Sequence, residues 1–364
     1  MKLIKPTFLI DKKKCLNNIR QMSDKATKHN LIFRPHFKTH QSTDIGKWFM
    51  EYGVQKITVS SLDMAMEFAY DGWTDITVAF PLNINEIDRV NSLANDITIN
   101  LTLLNHESID ALNNNLKHDV GIFLKIDTGN KRTGIPYENI DEILMLKEKI
   151  SEAPKLHFKG LLTHAGHTYQ AGSKEEIERI HHETRERLLW IKDQIAKENE
   201  DITISVGDTP SCSLVEDFEG IQEIRPGNFV FFDLQQYKLN ACSLEDIAVC
   251  VACPVVAKHE ERNEIVVYGG AVHFSKDSFI EDGKPAYGYG VILTGNGWII
   301  PEDKIILRKV SQEHGTLYVN PRTMKKFAIG DFIGILPAHS CLTANLMRTW
   351  QDVENGESYD HMRK

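Results

Sequence analysis

Eight short β-branched runs, separated by stretches of helical spacing, limit this chain to very few architectures. The runs fall at 31–33, 56–60, 76–80, 97–103, 120–127, 157–163, 202–206 and 221–224. Between two of them, Ser61–Tyr70 places apolar residues at i, i+3, i+4 and i+7, on one face of a helix. Residues 174–199 form a longer charged stretch with Ile177, Ile180, Leu188, Leu189, Ile191, Ile195 and Ala196 on its inner side. Strand and helix alternating eight times fit a closed (β/α)8 TIM barrel. A doubly wound open sheet is the alternative, and the count of eight favours the barrel.

Beyond about residue 240 the texture changes. Ile247–Lys258, Glu264–His273, Gly290–Leu293, Gly315–Val319 and Phe332–Leu336 are strand-like, with Gly, Pro and Asp turns between them. That pattern predicts an antiparallel β domain. The expected division is therefore a barrel over 11–240 and a β domain over 241–364, with residues 1–10 adding the strand Thr7–Ile10 to the second sheet. The tail, Gln351–Lys364, is polar and is expected to be loosely held.

A chain of 364 residues, 41% hydrophobic, can bury one large core and a second, smaller one. Its 42 Lys and Arg against 51 Asp and Glu give a net charge of −9 without a polybasic run. Nucleic acid and anionic membrane are thus not expected partners. The opening residues lack a continuous apolar stretch, and no transmembrane span is legible, so a cytoplasmic location is expected. The six cysteines are scattered, as in a chain that keeps its thiols reduced. Cys250 and Cys253 form a lone C-x-x-C; they read as small apolar residues of a buried strand in preference to a redox pair or half a zinc site.

In a (β/α)8 barrel the chemistry sits where strands end. The first run is followed by Arg34-Pro-His36-Phe-Lys38-Thr-His40, a lysine among positive neighbours, which favour the neutral, carbonyl-attacking amine. Later exits are the polar stretches Asp127–Gly134 and Thr163–Tyr169. The loops after the seventh and eighth runs, 207–211 and 226–228, supply glycines and hydroxyls of the kind that cradle phosphate. A nucleophilic lysine facing a phosphate cradle points to pyridoxal 5'-phosphate (PLP). Finally, His339 and Cys341 stand at i and i+2 at the end of the β domain's last strand-like run, where both side chains point to one face and can reach one metal ion. Two ligands leave open positions, as catalytic metal sites do, and nitrogen with thiolate favours zinc.

The combination RPHFKTH (34–40), DTGNKRTG (127–134), THAGHTY (163–169), VGDTPS (206–211), RPGNFVFFD (225–233) and PAHSCLTAN (337–345) resembles the zinc- and PLP-dependent D-serine dehydratase and D-threonine aldolase family. Enzymes of that family are alanine racemase-like, fold type III, with a PLP-binding (β/α)8 barrel followed by an antiparallel β domain. The resemblance makes Lys38 the Schiff-base lysine and Arg132 the arginine near the cofactor's phenolic oxygen. It makes His164 the residue stacked on the pyridine ring, with Tyr169 nearby. Gly207, Thr209, Gly227 and Asn228 match the phosphate-binding segments. Arg225 matches the arginine facing the ring nitrogen, and His339 and Cys341 match the metal pair.

Dehydratases of the family tend to carry H-x-C at the metal and aldolases H-x-D, so Cys341 points to dehydration. One departure is Gln41, where a lysine is common. The implied activity is a PLP-dependent lyase that eliminates water from a small β-hydroxy D-amino acid, foremost D-serine to pyruvate and ammonia. A homodimer is also implied. Competing readings are retro-aldol cleavage of D-threonine, alanine racemisation, and a non-catalytic PLP carrier. The β domain and its H-x-C count against the last two.

Overall fold

The eight strand-like runs become eight parallel strands. The computed structural model describes residues 3–362. After an initial strand β1 (Thr7–Ile10), which joins a different sheet, come β2 (Ile32–Phe33), β3 (Ile57–Val59), β4 (Asp75–Pro81), β5 (Thr98–Leu103) and β6 (Val120–Asp127). They are followed by the two-residue β7 (Ile135–Pro136), then β8 (Leu156–Leu162), β9 (Thr203–Val206) and β10 (Glu223–Ile224). Their order is β2-β10-β9-β8-β6-β5-β4-β3, with β7 set beside β6. A parallel bridge between His36 and Thr58 joins the β2 segment to β3 and closes the ring. Helices fill the connections, among them Leu62–Tyr70, N-capped by Ser61, and Lys174–Ile195. This is the expected (β/α)8 barrel.

Its lumen is not wholly apolar. Arg34 is buried with Nε 2.6 Å from Glu223 and Nη1 2.6 Å from Asp75, and Ser205 donates to Glu223 at 2.6 Å. Arg34 was grouped above with the positive neighbours of Lys38. Its charge is instead balanced by these two carboxylates, because a guanidinium buried inside a barrel must be paired.

By compactness the chain divides into two units. One holds Gln21–Lys38 and Gly46–Gly227; the other holds the chain up to Arg20, Thr39–Ile45, and the chain from Asn228.

The second unit is built on β11 (Val249–His259), β12 (Glu264–Tyr268), the hairpin β13 (Phe279–Glu281) and β14 (Lys284–Ala286), β15 (Gly288–Thr294) and β16 (Gly297–Ile299). It continues with β17 (Ile305–Val310), β18 (His314–Tyr318), β19 (Phe332–Pro337), β20 (Thr349–Asp352) and β21 (Ser358–Asp360). The order β12-β18-β17-β15-β19-β11 is closed by a further β11–β12 pairing, and every pair in this ring is antiparallel. β1 pairs antiparallel with β11 on one side and parallel with β20 on the other.

Three expectations need correction. The strand over Glu264–His273 stops at Tyr268, because Gly269 and Gly270 lead into the short helix Ala271–Phe274. The tail is not loose where it is described: Asp352, Val353, Tyr359 and His361 are buried, and Gln351 pairs with Ser358 between β20 and β21. β20 gains its order from pairing with a strand at the other end of the chain. The last two residues of the tail lie outside the described residues. Third, His339 and Cys341 do not sit on a strand. β19 ends at Pro337, His339 caps the helix Ser340–Met347, and Cys341 lies in its first turn.

Cys250 and Cys253 are fully buried in β11, and burial pushes both thiols up. No helix of the described residues is long and apolar enough to cross a membrane.

Candidate active site

Lys38 is placed by its neighbour. Phe37 is fully buried, with ring centroids 4.9 Å from Phe49, 5.0 Å from Phe68 and 5.2 Å from Trp73, the last two edge-on. Aromatic packing of this kind fixes the backbone on either side of the ring. Phe37 N also donates to Thr58 O (2.9 Å), and His36 N donates to Pro226 O (2.8 Å). The lysine-bearing loop is thereby pinned to the β3 exit and to the 226–227 loop.

Four cations meet at this end of the barrel. Lys125, in β6, is buried and makes one long contact to Ala79 O (3.4 Å). Burial, then the charges of Arg132, Arg225 and Lys38, lower its pKa to about 8. His36 is driven well below its ordinary value by loss of hydration and by Lys38 and Arg225. Burial and the charge of Lys38 lower His164 to about 3, so its imidazole is neutral. His164 Nδ1 hydrogen-bonds Gly207 O. A carbonyl only accepts, so Nδ1 carries the proton and Nε2 the lone pair. Arg225 is buried, donates to Ser205 Oγ (2.6 Å) and to Thr163 O, and is lowered by burial to about 10. Arg132 is exposed on a loop held by Asp127, whose carboxylate accepts from Gly129 N (2.9 Å) and Lys131 N (3.1 Å).

The β8 and β9 exits are fastened together residue by residue. Besides the His164–Gly207 bond, Thr168 Oγ1 donates to Asp208 (3.0 Å) and Thr209 N donates to Tyr169 Oη (3.3 Å). The Tyr169 and His164 rings are 6.1 Å apart by centroid. A Cβ on Gly207 would stand 2.8 Å from Arg225 Cβ and 2.9 Å from Arg225 O, so only glycine lets these loops approach. Thr209 Oγ1 is buried without a hydrogen-bond partner. A buried donor left open costs free energy until a ligand acceptor fills it, and a phosphate oxygen does so. A close glycine turn, an open hydroxyl and a surplus of cations fit the phosphate and phenolate of PLP.

Sequence reasoning missed Lys125, although a lone lysine inside the apolar run Val120–Ile126 was the signal. The two histidines that flank Lys38 in sequence separate here. His36 belongs to the cationic cluster, its Nδ1 accepting from Lys38 N (3.3 Å). His40 lies in the other unit, buried beside Ser42 and lowered to about 3 by burial.

In the second unit the H-x-C pair does meet. His339 Nδ1 is bonded to Asp277 Oδ2, which leaves Nε2 for a ligand. Burial works against protonation of His339, but Asp277 and Cys341 outweigh it and raise the imidazole to about 11. For the Cys341 thiol burial opposes ionisation; contacts with His339 and Thr39 prevail and lower its pKa. Thr39 Oγ1 is 3.3 Å and Asn228 Nδ2 3.5 Å from Cys341 Sγ. No cluster of three or more His, Cys, Asp or Glu side chains suited to a metal occurs among the described residues. The pair therefore offers one nitrogen and one sulfur, a donor set that fits zinc with open positions. Neither Asp277 nor Thr39 was expected here.

Residues 10–235 match the family described as "Alanine racemase, N-terminal domain". The chain belongs to that family. Residues 248–351 match a second family, "Putative serine dehydratase domain". Among relatives of this alanine racemase-type chain is the D-serine dehydratase of Dictyostelium discoideum, 28% identical over 93% of this chain and 90% of that protein. The D-threo-3-hydroxyaspartate dehydratase of Delftia sp. is 26% identical over 95% of this chain and 93% of its own. The solved structure of that enzyme superposes with a TM-score of 0.91 at 24% identity, covering 100% of this chain and 98% of the other. A cysteine-to-alanine mutant of it is described in a metal-free form. The D-threonine aldolase of Arthrobacter sp. is 21% identical over 94% of this chain and 86% of its own. The alanine racemase-like chain is thus a PLP-dependent lyase.

Proposed function

We propose that this lyase eliminates water from a small β-hydroxy D-amino acid, with D-serine as the leading substrate and pyruvate and ammonia as products. The observation that carries this reading is the meeting of His339 with a thiol, Cys341, backed by Asp277. Elimination requires a base for the α-proton and help for a poor leaving group.

Lys38 is the attachment point for the cofactor aldehyde and the base. PLP, when bound, supplies an electron sink that acidifies the α-carbon. Lys125 and Arg132 supply positive charge for the cofactor's oxygens and the substrate carboxylate, and Arg225 faces the ring nitrogen. Gly207, Thr209, Gly227 and Asn228 hold the phosphate. His164, locked as the Nδ1–H tautomer by Gly207, presents a neutral ring for stacking, with Tyr169 beside it. A single base on one face selects the D-hand. His339 and Cys341 would hold zinc, which when bound would supply Lewis acidity for loss of the hydroxyl group. Thr39 and Asn228, which touch Cys341, directly follow Lys38 and Gly227 in sequence. The working form is a cytoplasmic homodimer, as the family resemblance implies.

Retro-aldol cleavage is the second reading, favoured by the D-threonine aldolase among the relatives. Purified protein incubated with D-serine and with D-threonine separates the two. Pyruvate from D-serine is the expected result. Glycine with acetaldehyde from D-threonine, and no pyruvate, would select the aldolase. Turnover of neither, with metal and PLP supplied, sinks both.

A further inference from the structure

The carboxylate of Asp233 is completely buried, and among the described residues its direct hydrogen-bond partners are all neutral. Its Oδ2 accepts from Ser340 N (2.9 Å), Ser340 Oγ (3.2 Å) and Asn228 Nδ2 (2.6 Å), and its Oδ1 accepts from Gln236 N (3.0 Å). All four donors are neutral, and Asp233 makes no ion pair among the described residues. A buried charge satisfied only by neutral groups remains a strong local source of field, because little solvent screens it. Two of the four contacts go to Ser340, the residue between His339 and Cys341. A third goes to Asn228, whose Nδ2 also reaches Ser340 Oγ (3.1 Å) and Cys341 Sγ (3.5 Å).

We infer that Asp233 is a positioning residue for the His339–Cys341 pair: it clamps Ser340 and Asn228 around the sulfur and supplies the buried negative charge that a divalent cation there neutralises. The clamp acts on both ligands at once, since holding the backbone of the middle residue fixes the start of the Ser340–Met347 helix. Phe232, immediately before Asp233, takes a left-handed φ of 49°, a conformation that bulky residues rarely adopt. Nothing in the local pattern around Asp233 announced this role. The inference rests on the reading of the pair as a metal site.

The test uses the holoenzyme with PLP in place, stripped of metal and titrated with zinc against a chromophoric chelator. Asp233→Asn keeps the size of the side chain but removes its charge and one acceptor. Zinc affinity is expected to fall about 10–100-fold, the usual effect of losing a partner behind a metal ligand. In the cobalt(II)-substituted protein the thiolate-to-cobalt absorption band should weaken or shift, while PLP absorption and far-ultraviolet circular dichroism stay unchanged. Ser340→Ala removes one hydroxyl contact without touching the charge, so it serves if Asp233→Asn does not fold; several-fold weaker zinc binding is expected. Equal zinc affinity and an unaltered cobalt spectrum, in whichever variant folds, overturn the inference while leaving the metal site standing. A wild-type protein that takes up no zinc removes the metal site and the inference together.

Discussion

The barrel mouth and the H-x-C site are electrostatic opposites. In the barrel Lys38, Lys125, Arg132 and Arg225 act on one another and on His36 and His164, and every histidine among them is pushed down. In the other unit Asp277 and Asp233 surround His339, and that histidine is pushed up. The same side chain thus becomes a permanently neutral ring in one place and a favoured cation in the other. A cluster of cations stabilises bound anions, in the proposed function a phosphate, a phenolate and a carboxylate; a cluster of anions and a thiol suits a metal ion. The contrast supports division of labour between carbanion chemistry and leaving-group chemistry.

The largest test of the contrast is Lys38→Ala. It removes the proposed base and the covalent anchor together. Pyruvate formation from D-serine is expected to fall by at least about 10²–10⁴-fold, the range for losing a positioned general base. Any PLP retained should be released by gel filtration, since phosphate contacts alone hold it. A variant that keeps wild-type turnover removes Lys38 from the chemistry. Cys341→Ala addresses the opposite pole. Zinc content, measured by metal analysis after dialysis, is expected to drop well below that of wild type, with D-serine turnover falling in parallel and PLP absorption retained. Loss of zinc with full activity would show that the metal does not assist the leaving group.

How much of this was legible in advance differs between the two regions. Each barrel strand is announced by its own β-branched run, and the polar exits follow the strands directly, so Lys38, His164, Gly207 and Arg225 are found by reading along the chain. The anionic site depends on contacts between distant residues. Asp277 is 62 positions from His339, and Asp233 is 107 from Ser340. No periodicity reports such pairings. For the same reason the end of β20 reads as loose tail, since its partner β1 lies at the opposite end of the sequence. Lys125 and Arg34 were overlooked or misassigned because a charged residue in an apolar run gives no sign of whether it faces a ligand, as Lys125 does in the proposed site, or a carboxylate, as Arg34 does.

The smallest expected effect is a difference in acid sensitivity caused by His164. Its folded pKa of about 3 lies below the value near 6.5 in an unfolded chain, because burial and the cations of Lys38, Arg132 and Arg225 oppose protonation. Below pH 6.5 the unfolded chain takes up a proton that the folded chain refuses. The stability this neutral ring contributes is therefore present above pH 6.5 and is lost as pH falls towards 3. Between pH 7 and pH 5 the loss from one such group is about 2 kcal/mol. His164→Gln replaces the ring with a group that cannot titrate yet still offers a donor to Gly207 O. Urea unfolding of the cofactor-free protein at pH 7, 6 and 5 should show a shallower decline for the variant, whatever its stability at pH 7. His40 provides the control, since it is lowered to about 3 by burial alongside Ser42 and lies outside the barrel unit. His40→Asn should flatten the curve by a similar amount, independently of Lys38. Adding Lys38→Met to each variant then isolates the cationic contribution. If the barrel mouth is electropositive, Lys38→Met alters the acid response more in a protein that retains His164 than in His164→Gln, where His36 alone still registers the lost charge.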